Sequence, residues 1–218
     1  MSVRRGAPWG GPAGGPAEAE VDGADTDLAA LAERRPGTRV AFRPASDSDL
    51  ARALGLAGDR PASRELPIDG LRLERPPAMA LSMVVLGAAP DRLRWWSRAV
   101  AVEVTVDGRE RYRGRATTVV VASGQYLRGA DVVPRGHPGD GRAEVQVYAL
   151  ARGERRAMRR RLAQGTHVPH PRIREASGRR IDVRIGSGGL VLEADRVGHG
   201  RCRELTVEVV PGVLRLLV

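Results

Sequence analysis

Between Val119 and Gly141 the chain leaves itself few ways to fold. Val119 to Ala122 is an apolar strand that opens into Ser123-Gly124-Gln125, and a second extended piece runs from Ala130 to Val133. It leads into Pro134-Arg135-Gly136-His137-Pro138-Gly139-Asp140-Gly141, a run with three glycines and two prolines. Such a run is neither helix nor strand interior, so it must be a shaped loop. It sets the carboxylate of Asp140 between two glycines, where backbone can approach a ligand closely. For an isolated Asp-Gly a ligand-free surface turn is the plainer outcome. Glu144 to Leu150 then alternates as a strand.

The 218 residues make one large domain or two small ones, long enough for a real core. With one Phe, three Trp and three Tyr, valine, leucine and alanine must fill that core. The chain has no lysine; all 36 basic residues are arginine, and the net charge is +10. Such a charge attracts phosphate, anionic lipid headgroups or nucleic acid. Scarce aromatics for base stacking and no reader motif set nucleic acid well behind the other two. The single cysteine, Cys202, excludes an internal disulfide and a multi-cysteine zinc site. No apolar run reaches the ~18 residues of a membrane span, and no apolar stretch follows Arg4-Arg5 as in a secretory signal. The expected place is therefore the cytoplasm, with peripheral attachment at the inner membrane surface as a variant.

Residues 1–25 are rich in Gly, Pro and Ala and read as mostly disordered. Thr26 to Arg35 reads as a short amphipathic helix capped by Thr26 or Asp27, and Thr38 to Phe42 as a strand. A Ser/Asp loop, Pro44 to Ser48, precedes a helix from Asp49 to Leu54 that stops at Gly55. Strand, polar loop and helix N-terminus can hold phosphate, although two aspartates in this loop oppose it unless a metal intervenes. Glu65 to Arg72 and Met79 to Gly87 read as strands, and Pro90 to Ala99 as a helix. Trp95 and Trp96 in that helix are expected to anchor packing, with membrane dipping as the alternative. Val100 to Val106, the Asp107-Gly108 turn and Arg109 to Val121 form a hairpin. Gly153 to Gln164 reads as an arginine-dense helix whose charged side is solvated or, alternatively, binds phosphate. His167 and His170 lie in a proline-rich extended segment where a structural role outranks zinc. Strands at Ile181–Ile185, Leu190–Ala194 and Leu205–Val210 close the chain, with Pro211-Gly212 turning into a last buried strand, Val213 to Val218.

The order of these pieces, from Arg39 to Val218, resembles the diacylglycerol kinase family of lipid kinases, which includes sphingosine kinases. Pro44 to Arg52 stands where that family has P-x-G-T-x-N-D-x-A-R; Asp49, Ala51 and Arg52 match. Val121-Ala122-Ser123-Gly124 stands for V-A-N-G, and Pro134 with Asp140-Gly141 and Glu144-Val145 for P-x-A-x-x-D-D-G-x-L-D-V. Arg155 to Leu162 and Gly165-Thr166-His167 match a helix leading to G-x-H. Asp195 is what remains of D-G-E, and Leu205 to Val218 matches the family's closing strands. The family's G-G-D-G-T loop is not found, and the residues before Thr38 leave no room for the rest of a nucleotide domain.

The resemblance implies a mainly β fold with a few helices. Residues 26–64 would be a remnant of an α/β nucleotide-binding domain, and 65–218 a β-sandwich. It implies ATP- and Mg2+-dependent phosphorylation of a lipid hydroxyl, with Asp195 as general base, Asp140 helping to organise the metal, and Ser46, Ser48 and Asp49 on the nucleotide side. The implied partners are a lipid or anionic membrane surface and a partner protein or N-terminal half that completes the nucleotide site; a homodimer stays open. The alternative is a non-catalytic module for a lipid or phosphorylated headgroup.

Overall fold

The computed structural model describes residues 9–56, 63–165 and 169–218. Strands β1 (Gly11–Pro12) and β2 (Ala19–Gly23) precede helix α1 (Asp25–Arg34), strand β3 (Thr38–Pro44) and helix α2 (Asp49–Leu54). Strands β4 (Arg64–Glu74), β5 (Pro77–Ala80) and β6 (Met83–Gly87) follow, then a 3-10 turn over Pro90–Arg92. Next come β7 (Val100–Val106), β8 (Arg109–Ala116), β9 (Thr118–Ala122), the short β10 (Tyr126–Leu127) and β11 (Ala130–Asp131), and β12 (Ala143–Tyr148). Helix α3 (Glu154–Ala163) leads to β13 (Ile173–Gly178), β14 (Arg180–Ile185), β15 (Leu190–Ala194), β16 (Val197–Cys202) and β17 (Glu204–Leu217).

Two sheets pack face to face. One runs β1-β4-β17-β14-β7-β8, with β5 on β4 and β2-β3 joined to β17; the other runs β13-β12-β9-β6-β15-β16. The mainly β sandwich expected from sequence is what the chain forms. The inner faces explain the valine-rich composition. β7 alternates buried Val100, Val102, Val104 and Val106 with more exposed residues, and these valines meet Val84, Val119, Val145 and Leu192 of the opposite sheet. β9 is buried at every position because its second face carries another core. There Val120, Ala122 and Tyr148 pack under Met158 and Leu162 of α3 and under Leu127, Val132 and Val133. The hairpin expected at Val100–Val121 divides. Asp107 and Gly108 take positive φ in its turn, but Thr117 separates β8 in one sheet from β9 in the other.

The third core lies between β3, β4, β17 and the helices, built from Leu28, Leu50, Ile68, Leu81, Leu214 and Leu216. Here residues 19–44 form a strand–helix–strand unit, with β2 parallel to β3 and β3 parallel to the end of β17. One expectation changes at this point. Residues 11–12 and 19–23 are strands, so the described part of the N-terminal run is ordered well before Asp25. Strand β2 thereby precedes the helix that the sequence predicts before Thr38. β2 escaped notice because Ala19-Glu20-Val21-Asp22-Gly23 is short and half acidic; its pairing with β3 supplies the order that its composition does not.

The helix expected over Pro90–Ala99 is only the 3-10 turn, after which Arg94–Ser97 form a separate tight turn. Met79–Gly87 breaks into β5 and β6 at Leu81-Ser82. The two strands expected over Leu205–Val218 are one strand, β17, kinked by a register shift between Val210 and Leu214. Thr166 and His167 lie outside the described residues. No described helix is long and apolar enough to cross a membrane.

Candidate functional site

Several of the sequence's carboxylates lie where the strand–helix–strand unit meets the sandwich. Asp25 opens α1 directly after β2 and is buried. Its Oδ1 accepts the Ser48 hydroxyl, and its Oδ2 accepts the backbone N–H groups of Asp49 and Leu50, each at 3.0 Å. Ser48 Oγ accepts the N–H of Ala51 at 2.9 Å. The first turn of α2 is thus capped from within. At α1 the carboxylate of Asp27 accepts the N–H of Ala24 at 2.8 Å, so acidic side chains also fill that helix's positive end. Burial pushes the Asp25 carboxyl up, while Ser48 and the Leu50 N–H pull it down.

Asp49 looks the other way. Its Oδ2 accepts the N–H of Arg128 at 2.7 Å and its Oδ1 that of Gly129 at 2.8 Å. These two residues form the β10–β11 turn, both with positive φ. The Arg128 guanidinium then binds Asp91 and Glu193. Asp47 pairs with Arg196 at 2.6 Å, and Ser46 is exposed.

Asp195 sits in the β15–β16 turn, with φ of 42° there and 72° at Arg196. Its Oδ2 accepts the N–H of Leu81 at 2.6 Å, and its Oδ1 those of Ser82 and Met83 at 3.0 and 2.8 Å. From the other side Ser123 Oγ donates to Leu81 O, and the N–H groups of Ser123 and Gly124 donate to Ser82 O. The break between β5 and β6 is therefore gripped by Asp195 and by the Ser123-Gly124 corner. Burial raises the Asp195 carboxyl to about 6 against the pull of its N–H donors, and the charge of Asp25 adds to the rise.

Asp140 does not join this group. Its Oδ1 accepts the N–H of Arg142 at 2.9 Å, and its charge acts on Asp69 and Glu144. Buried Asp69 is the residue that shapes the glycine-rich loop. Its Oδ2 takes the N–H of Gly141 at 2.6 Å, its Oδ1 that of Gly212 at 2.9 Å, and its own N–H bonds Pro138 O. Close approach to the glycines comes from the protein itself. A Cβ on Gly139 would lie 2.3 Å from Trp9 Nε1 and 2.6 Å from Pro67 O; one on Gly136 would lie 2.1 Å from Gly124 O.

These contacts decide what the site can hold. Among the described residues no three His, Cys, Asp or Glu side chains converge to bind a metal. Asp25, Asp49, Asp69 and Asp195 each have both carboxylate oxygens engaged; the buried side-chain atoms without a hydrogen-bond partner include the Ser82 hydroxyl beside Asp195 and, in β11, Asp131 Oδ1. Among the described residues these carboxylates do not come together as a magnesium site. At α2 the N–H groups of Asp49, Leu50 and Ala51 that a nucleotide's phosphates would use are already taken by Asp25 and Ser48.

A sequence model described as the YegS C-terminal NAD kinase beta sandwich-like domain matches residues 60–218. The chain belongs to that family. No curated protein matches the chain in sequence. A putative diacylglycerol kinase from Bacillus anthracis str. Sterne superposes on this YegS C-terminal-type chain with a TM-score of 0.73 and 16% identity, covering 91% of this chain and 76% of that one. An NAD kinase from Archaeoglobus fulgidus, solved in complex with ATP, gives 0.52 at 14% identity, covering 91% and 76%. Yeast NADH kinase complexed with NADH gives 0.50 at 12%, covering 91% and 60%. At these identities the shared property is the fold. The sequence reading reached this family but missed Asp25 and Asp69. Asp25 follows a single glycine in Gly23-Ala24-Asp25-Thr26 rather than a Gly-Gly pair, and its one local signal is Val21-Asp22-Gly23 standing before an apolar-periodic helix. Asp69 carried none, since its partners Gly141 and Gly212 are distant in sequence.

Proposed function

We propose that this YegS C-terminal-type chain is a non-catalytic member of its family, a β-sandwich module that binds an anionic lipid or its phosphorylated headgroup. The observation that carries this reading is how the expected site carboxylates are used. Asp195, the expected general base, is buried and holds three backbone N–H groups, and Asp49, expected on the nucleotide side, holds two, so both serve the fold rather than face a substrate. The surplus of arginine supplies the attraction for an anion. A second reading keeps phosphoryl transfer from Mg-ATP to a lipid hydroxyl, with the nucleotide half supplied by a partner protein or by further chain. In its favour, Asp195 at about 6 lies close to the range in which a general base works.

Thermal melting is the test that can overturn the non-catalytic reading. Millimolar Mg-ATP is expected to leave the midpoint of the purified chain unchanged, and the chain is expected not to phosphorylate dioleoylglycerol. A magnesium-dependent rise in the midpoint overturns the non-catalytic reading. The chain is also expected to co-sediment with anionic vesicles, and to do so less as salt rises.

A further inference from the structure

Resting on the lipid-binding reading, we infer that the Trp95-Trp96 turn and the arginines around it are the face by which the protein docks on an anionic phospholipid bilayer. The two indoles are the most exposed large apolar side chains described, at 63% and 61%, where packing anchors would be buried. They stack edge to face with centroids 5.4 Å apart, and the Arg94 guanidinium lies 5.8 Å from the Trp96 ring.

The turn that presents them is rigid. The N–H of Arg94 donates to Ser97 Oγ at 2.9 Å and the N–H of Ser97 donates back to Arg94 O. Buried Arg155 of α3 donates through Nη1 to the carbonyls of Arg94, Trp95 and Ser97 and through Nε to Leu150 O. A buried arginine with four carbonyl partners holds two tryptophans out in water. Such a feature is costly unless the indoles find the interfacial layer of a membrane, where an amphipathic ring is best placed.

The surrounding charge selects the lipid. Arg92, Arg94 and Arg98 are exposed beside the indoles, and the helix that carries Arg155 also exposes Arg156 and Arg160. The acidic residue of the turn sequence, Asp91, is half-buried and pairs with Arg128 at 3.3 Å and more loosely with Arg92 at 3.8 Å, which leaves Arg94 and Arg98 as the main cations of the face. An open cleft of about 300 Å³ adjoins the turn, lined among others by Ser97, Arg98, Ser187 and Arg201, with room and donors for a phosphate headgroup. Cations round a pair of protruding indoles match anionic lipid in sign and depth.

The test uses the full chain with vesicles of phosphatidylcholine alone or mixed with phosphatidylglycerol, read by co-sedimentation and by tryptophan emission. The wild type should bind the anionic vesicles with a blue shift, since two of its three tryptophans lie in the turn. W95S/W96S should bind at least about tenfold more weakly and lose the shift. R94Q/R98Q should weaken binding and reduce its salt dependence. Melting checks that both variants remain folded, and because these side chains are exposed the midpoints should hold. Unchanged vesicle binding by W95S/W96S overturns the docking face while leaving lipid binding itself intact. A wild type that binds no vesicle overturns both. A double variant that loses self-association while still binding vesicles assigns the indoles to a protein contact and overturns the inference.

Discussion

Asp195→Ala is expected to lower the unfolding free energy by about 3–5 kcal/mol in denaturant melts. The reason is the set of orphans it creates: the N–H groups of Leu81, Ser82 and Met83 would all lose their acceptor in a buried corner. Each unsatisfied buried donor costs about 1–3 kcal/mol, and partial relaxation keeps the total below the sum. Relief of a buried charge offsets part of the loss. A change below about 1 kcal/mol would mean that the corner does not depend on this carboxylate. Loss of activity in Asp195→Ala could therefore not identify a catalytic base, because the same change dismantles the strand break behind it.

The same group gives a pH signature. Burial raises its pKa from the ordinary carboxylate value to about 6, so the native state holds the proton more tightly than the unfolded chain does. The stabilisation linked to that proton is complete below about pH 4, is lost as pH rises through about 6, and is flat above. Over that window the stability of the wild type relative to Asp195→Asn should fall by about 3 kcal/mol. Asp69, also raised by burial, adds a slope of the same sign that cancels in the comparison, whereas Asp25 is coupled to Asp195 through its charge and cancels only in part. A flat difference curve refutes the raised pKa.

The second large effect is expected at Asp69. Asp69→Ala removes the acceptor for Gly141 and Gly212, two N–H groups that fix the glycine-rich loop against the kink of β17. A loss of about 2–4 kcal/mol is expected, together with faster hydrogen exchange at Gly141 and Gly212. Unchanged exchange at both amides would show that the loop keeps its shape by other means. The alanine variant should leave the Asp25–Ser48 and Asp195 corners protected, since neither carboxylate is among its partners.

What could be read in the sequence was what neighbouring residues determine. The helix Asp49–Leu54 with its stop at Gly55 is local chemistry: Ser48 caps one end, and Gly55 takes φ of 63° at the other. Val100–Val106 shows its period within seven residues, and the composition limits the core to small aliphatics. The order of weak motifs then gave the family. What escaped was set by distant partners. β16 holds two glycines and a histidine and becomes a strand because β15 lies beside it. Pro211-Gly212 reads as a turn but is a kink inside one strand, because Asp69 and β4 hold both sides in register. The tryptophan turn reads as a helix on local propensity. Arg155, some sixty residues away, takes the carbonyls that a helix would have used. For the candidate site, the residue types were legible and their occupancy was not: an aspartate looks the same in sequence whether it faces a substrate or three backbone amides.

β17 has a consequence for how the chain reaches this fold. It pairs with β14 and β4 in the sandwich and with β3 in the strand–helix–strand unit, and Arg215 reaches the carbonyl of Gly37 across 178 residues. The two halves are thus sewn together by one strand far in sequence from β3 and β4. Until it is available, β3 has an open edge and the core around Leu28 and Leu50 lacks Leu214 and Leu216. Contacts of such long range are slow to form, because loop closure costs entropy before any pairing compensates for it. Refolding should accordingly be slow for a chain of this size and should close both halves in a single kinetic phase.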